Sequence, residues 1–141
     1  MTDNNLSYIP LHVRSCYSIN DGLQNVGDIV KKAAKLGIPA IAVTDFNNMA
    51  GFVRFYNACY GAGIKPIMGA DLQVKEDTKP GDPDRYFTVT LLAMDRQGKQ
   101  NLYDILSDGW IHTASPYIAV VAAKVEDLWK YSEGLIILNG F

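Results

Sequence analysis

Short apolar segments alternate with amphipathic stretches along the chain, and this order restricts the folds that it can adopt. Residues 38–45 form an uninterrupted apolar run between breakers, which is typical of a strand covered on both faces. Repeated strand–helix–strand order predicts right-handed parallel crossovers. The strands are predicted at 6–14, 38–45, 64–74, 86–94 and 135–139, and the helices from about 28, at 49–63, 98–110 and 124–134, with 114–124 left unassigned.

One connection departs from the crossover pattern. Residues 75–85 are polar, rich in Gly, Pro and Asp, and lack a helical apolar stripe. We therefore expect an exposed loop between two adjacent strands that run antiparallel. A closed α/β barrel needs about eight strands. The prediction is accordingly an α/β fold of about five strands that forms part of a TIM-like barrel, in a chain of 141 residues that is too short for two domains.

Composition narrows the classes of function. The net charge is −2 with no dense run of Lys and Arg, so strong binding of nucleic acid by this chain alone is not expected. The two cysteines lack the spacing of a zinc site. No secretory signal and no apolar run long enough to span a bilayer are present, so we expect a cytoplasmic protein with no membrane partner.

Polar residues occur where strands of the predicted sheet end, and these ends converge in parallel α/β folds. The residues are His12, Arg14, Asp45, Asp71 and, less securely placed, Thr88. Histidine and carboxylate groups in such a position can hold divalent ions for phosphoester hydrolysis. A guanidinium stays protonated and cannot ligate a metal. We therefore expect no metal here, and at most His12, Asp45 and Asp71 as ligands if one binds.

Four motifs occur in order along the chain: LHVRSCYSINDG (11–22), IPAIAVTDFNNMAG (38–51), GIKPIMGADLQV (63–74) and LLAMDRQGKQNL (91–102). By these motifs, the chain resembles the PHP (polymerase and histidinol phosphatase) domain, in particular that of bacterial C-family replicative polymerases, from about residue 8 onwards. The family domain is about twice as long, which implies an N-terminal portion of that domain without polymerase palm, fingers or thumb.

The resemblance implies that the family's metal pattern is degenerate in this chain. Arg14 stands where metal-binding relatives have the second histidine of the first strand, and Phe46 replaces a histidine after the second. Asp71 replaces a glutamate, and Thr88 is aligned with a histidine. We hypothesise that Arg14 fills the vacated site and neutralises Asp45, Asp71 or both. The alternative is an Arg14 directed into solvent.

The resemblance further implies a function for the domain. It would be catalytically inactive and cofactor-free, would support the rest of the polymerase alpha subunit and would dock a separate proofreading exonuclease subunit. DNA and magnesium would be handled elsewhere in the parent polymerase. The alternatives are an active metal-dependent phosphoesterase, acting as a 3′–5′ exonuclease or a pyrophosphatase, and a free-standing small-molecule phosphatase.

Overall fold

The computed structural model describes residues 8–19, 21–113 and 121–139, which contain a five-stranded mixed sheet and four helices. The elements are α1 (Val26–Lys35), β1 (Ala40–Phe46), α2 (Phe52–Ala62), β2 (Lys65–Lys75), β3 (Tyr86–Ala93), α3 (Arg96–Thr113), β4 (Ala123–Lys124), α4 (Val125–Lys130) and β5 (Leu135–Asn139). The strand order is β1-β2-β3-β5, and β4 pairs with β2. Within the described residues, no helix is both long and apolar enough to cross a membrane.

The sheet combines one crossover with one hairpin. Strand β1 runs parallel to β2 across α2, and β2 pairs antiparallel with β3. The polar segment 75–85 connects β2 and β3, so the predicted loop between two adjacent antiparallel strands is confirmed. Strand β5 is antiparallel to β3. The structure therefore has the partial, barrel-like α/β architecture that the sequence predicts.

Helices α1 and α2 pack on each other and on β1 through one apolar cluster that includes Ile29, Val43 and Phe55. Helix α3 covers β2 and β3 through a second cluster that includes Leu72 and Leu102. Asn25 caps α1 by accepting a hydrogen bond from the Asp28 amide, and Gly63 ends α2 in the left-handed conformation.

The predicted first strand is wrong. Residues 8–14 form no strand, and Ile9 and Leu11 are each 40% exposed instead of lying in an apolar face. Two hydrogen bonds attach this segment to β1, from the Ala42 amide to Pro10 O (2.9 Å) and from the Thr44 amide to the carbonyl of residue 13 (2.8 Å). Pro10 has no N–H to donate, and these two bonds both run from amides of β1 to carbonyls of the segment, which is not the alternating pattern of a ladder. The fifth strand is instead the two-residue β4. The unassigned interval 114–124 lies mostly outside the described residues.

Candidate functional site

Asp71, in the middle of β2, is the centre of the candidate site. Its side chain is 0% exposed, and three other side chains bind it. His12 Nε2 lies 2.6 Å from Oδ2, and Arg14 Nε donates to the same oxygen at 2.8 Å. Thr90 Oγ1 donates to Oδ1 at 2.7 Å. Burial of a carboxylate without such partners is costly, and these three contacts offset that cost.

Arg14 lies in the site and is not directed into solvent. Its side chain is 22% exposed, and Nη1 donates to Asp21 Oδ2 at 3.1 Å. The guanidinium carbon also lies 5.2 Å from the centroid of the Phe46 ring. Phe46 thus supplies an aromatic face to this cation.

Asp45 does not join this cluster. Asp45 pairs with Ala70, and Phe46 pairs with Asp71 in the β1–β2 register. Because side chains alternate along a strand, the two carboxylates point to opposite faces of the sheet. Of the two carboxylates proposed as partners of Arg14, the structure pairs it with Asp71, whereas Asp45 accepts hydrogen bonds from Ser15 and Ser18.

Asp45 has its own set of donors in the turn that follows residue 14. Oδ1 accepts hydrogen bonds from the Ser15 amide and from Ser18 Oγ, and Oδ2 accepts one from Ser15 Oγ, each at 2.7 Å. Ser18 Oγ also accepts a hydrogen bond from the Phe46 amide. Both serines are fully buried. Asp45 consequently fastens this turn to the end of β1.

Thr88 also lies outside the cluster. It pairs with Gln73, whereas Thr90 pairs with Asp71. The two threonines are on the same face of β3, two residues apart, and the register of the hairpin selects the second. The predicted convergence therefore holds for His12, Arg14 and Asp71 only.

Asn47 is a residue of the site that the sequence reasoning missed. It adopts a left-handed conformation with φ of 51°, which asparagine tolerates better than most residues. Its amide donates to Asp71 O at 2.7 Å, and its Oδ1 accepts from the Gln73 amide at 2.9 Å. Its Nδ2 donates to Val121 O, and its carbonyl accepts from Trp110 Nε1, both at 2.7 Å. An asparagine directly after a buried strand was the available signal.

The side chains present do not fit a metal centre of the family type. No group of three or more His, Cys, Asp or Glu side chains that could hold a metal ion occurs in the part of the chain that the structure describes. Asp71 Oδ2, the oxygen nearest His12, already faces a guanidinium that would repel a divalent ion. We therefore assign no step of chemistry to a metal at this site.

Comparisons with known proteins agree with this fold. The model of the PHP domain family matches residues 10–141. DNA polymerase III subunit alpha of Escherichia coli K12 is 44% identical over 136 residues, which is 94% of this chain and 11% of that protein. The same subunit of Buchnera aphidicola from Acyrthosiphon pisum is 37% identical over 139 residues, or 97% of this chain and 12% of that protein.

A solved structure shows the same architecture at low sequence identity. An amidohydrolase from Chromobacterium violaceum, with bound sulfate, matches 72% of this chain and 32% of its own with a TM-score of 0.55 and 22% identity. The chain spans about a tenth of the length of the curated relatives that it matches. Since the family model covers nearly the whole sequence, the chain belongs to the PHP domain family.

Proposed function

We propose that this chain is the N-terminal part of the PHP domain of a bacterial DNA polymerase III alpha subunit, a cytoplasmic replicative polymerase. The support is the identity of 44% and 37% to two such subunits over almost the whole chain. DNA synthesis with magnesium belongs to regions of the parent protein outside these residues. None of the aspartates described above is given a role in nucleotidyl transfer.

Within that polymerase, we propose that the domain is catalytically inactive and cofactor-free. The observation that carries this is the contact of Arg14 Nε with Asp71 Oδ2 at 2.8 Å. A fixed positive charge takes up the oxygen that a metal would need, and Asp45 is engaged on the opposite face of the sheet. The guanidinium then has a structural role, because it allows a carboxylate to remain ionised in the interior.

The proposed role of the domain is mechanical support of the polymerase and docking of a separate proofreading exonuclease subunit. The alternative is an active metal-dependent phosphoesterase, acting as a 3′–5′ exonuclease or a pyrophosphatase. It is favoured by one observation, the retained contact between His12 and Asp71 at 2.6 Å.

Metal analysis distinguishes these two functions. The chain, purified without chelators, is analysed for bound zinc, manganese and iron, and is then titrated with Mn²⁺ by calorimetry. We expect less than stoichiometric metal and no saturable heat. One equivalent of metal, together with hydrolysis of a 3′ end or of pyrophosphate, would establish the alternative.

The docking role has a separate test. The proofreading exonuclease subunit of the same organism is passed over the immobilised alpha subunit, with and without residues 1–141. Retention that requires these residues supports the proposal. Equal retention without them would contradict it.

A further inference from the structure

An open pocket of about 440 Å³ lies beside Arg14 at the rim where the candidate site meets solvent. Three aromatic residues line it, Tyr17, Phe46 and Trp110, together with the polar residues Asp21, Asn47, Asn48 and Gln73. The volume is in the range of pockets that hold small ligands or a single large side chain.

The aromatic walls are held in place by contacts of their own. A Cβ atom on Gly51 would lie 2.5 Å from the Tyr17 ring, so the absence of a side chain there lets the ring lie against the backbone. The indole N–H of Trp110 is fixed by its bond to Asn47 O. Phe46 is covered on one side by the Arg14 guanidinium. The pocket is therefore preorganised, which lowers the entropy cost of filling it.

The polar groups of the pocket that lack a partner among the described residues include three acceptors. Asp21 uses Oδ2 for Arg14, and its Oδ1 makes no hydrogen bond or ion pair with another of the described residues. The amide group of the Gln73 side chain and the hydroxyl of Tyr17 make no hydrogen bond within the ranges that the structure describes. The asparagines at 47 and 48 have their side-chain amides engaged.

Asp21 is the charged residue among the described residues that line the pocket. None of the pocket-lining residues among those described is cationic, and Asp21 contributes a carboxylate that is 48% exposed. The neighbouring Arg14 is already paired with both Asp71 and Asp21. A phosphate group would meet Asp21 without a free counter-charge, so the pocket is unsuited to anions.

We propose that this pocket receives the guanidinium group of an arginine side chain from a partner protein. A guanidinium carries a positive charge, offers five N–H donors in a plane and stacks on aromatic rings. These properties match a carboxylate oxygen, an amide oxygen and a hydroxyl placed among Tyr17, Phe46 and Trp110. The inference rests on the proposed function in one respect, that the rim serves docking and not metal-dependent hydrolysis.

The test uses the fluorescence of Trp110. The chain has two tryptophans, and Trp129, which is 76% exposed, is replaced by phenylalanine so that Trp110 is the remaining reporter. This chain is titrated with N-acetyl-arginine amide, with the neutral isostere N-acetyl-citrulline amide, with N-acetyl-lysine amide and with inorganic phosphate. We expect a saturable change with the arginine compound, weaker binding of the lysine compound, and no saturation with the other two.

Two variants locate the binding site. Asp21→Asn removes the charge and should weaken binding of the arginine compound about tenfold, as expected for a charge-assisted hydrogen bond. Tyr17→Phe removes only the hydroxyl and should weaken it about threefold. Asp77→Asn is the control, because it makes the same change in net charge at an exposed position of the 75–85 loop and should leave binding unchanged.

Several outcomes would overturn the inference. Saturable binding of phosphate or of the citrulline compound with equal affinity would show that charge does not select the ligand. No response to the arginine compound, or equal effects of Asp21→Asn and Asp77→Asn, would show that the pocket does not hold a guanidinium. Failure of the proposed function has a different signature, since stoichiometric Mn²⁺ binding in calorimetry would appear whatever the arginine titration gives.

Discussion

Replacement of Arg14 by alanine tests the structural role of this residue most directly. Breaking a buried ion pair by removing one partner costs about 3–5 kcal/mol, because the other charge is left buried. Two features place Arg14→Ala at the lower end of that range. The Arg14 side chain is 22% exposed, and His12 and Thr90 remain in contact with Asp71. We therefore expect a loss of about 3 kcal/mol in the free energy of unfolding.

The measurement is equilibrium unfolding in urea, together with thermal melting. For a chain of this size, a loss of about 3 kcal/mol lowers Tm by roughly 10 °C. Arg54→Ala is the matched control, because Arg54 is exposed and makes no ion pair within the described residues. It should change the free energy of unfolding by less than about 0.5 kcal/mol.

A double-mutant cycle with Asp71→Asn separates the ion pair from other effects of the truncation. If Arg14 acts through Asp71, Arg14→Ala should cost less in the Asp71→Asn background than in the wild-type chain. The reasoning is refuted if Arg14→Ala melts together with Arg54→Ala, or if the two effects at positions 14 and 71 simply add. Arg14 would then be a surface residue whose contacts contribute nothing measurable.

Three further predictions concern packing, register and burial. Gly98→Ala should destabilise the chain by about 3 kcal/mol or more in urea unfolding, because a Cβ there would lie 1.8 Å from a backbone oxygen of the turn before β5. Gly61→Ala, with open space around it in α2, should instead stabilise by about 0.5–1 kcal/mol, and the reverse order would contradict the packing described. Thr90→Val should lower the free energy of unfolding in urea by about 1–2 kcal/mol, because it removes a donor to the buried Asp71 carboxylate. Thr88→Val should lower it by less than about 0.5 kcal/mol, since Thr88 pairs with Gln73. Equal effects of the two variants would contradict the register of the hairpin. Burial raises the pKa of the Cys59 thiol from 9.0 to about 11, so the folded state should lose about 2–3 kcal/mol as the pH rises from 9 through 11. Urea titrations across that range measure this loss, and a Cys59→Ala chain that shows the same decline would assign it to other groups.

The order of elements was predictable because it depends on local patterns. Apolar runs between breakers gave the positions of β1, β2, β3 and β5, and the polar segment 75–85 gave the hairpin. The segment 8–14 has the same alternation as a strand but forms none in the structure, where Pro10 lacks an N–H and two amides of β1 donate to carbonyls of the segment. The alternation of apolar and polar residues shows that the two faces of a segment differ in polarity. It does not show whether the backbone N–H and C=O groups of the segment pair with another strand.

The candidate site was predictable in part for a related reason. His12, Arg14 and Asp71 meet because the strand end and the neighbouring segment converge, as parallel α/β topology requires. The choices between Asp45 and Phe46, and between Thr88 and Thr90, depend on pairing registers that one sequence does not reveal.

The large apolar side chain of Trp129 does not contribute to the core. A tryptophan in a short helix often anchors that helix on a core, but Trp129 is 76% exposed. Helix α4 has only six residues and buries none of them fully. The apolar interior beside it is already filled by α3, β2 and β3.

The side chain of Asn47 explains how β4, a strand of only two residues, can belong to the sheet. One edge of β2 is occupied by β1 up to Asp71 and by β4 from Val74 onwards. Between them, the carboxamide of Asn47 takes a hydrogen from the Gln73 amide and gives one to the carbonyl of Val121, as a peptide group in a middle strand would. Asn47 thus continues the hydrogen bonding along this edge of β2 in the interval between β1 and β4. The two residues of β4 then pair with the rest of that edge.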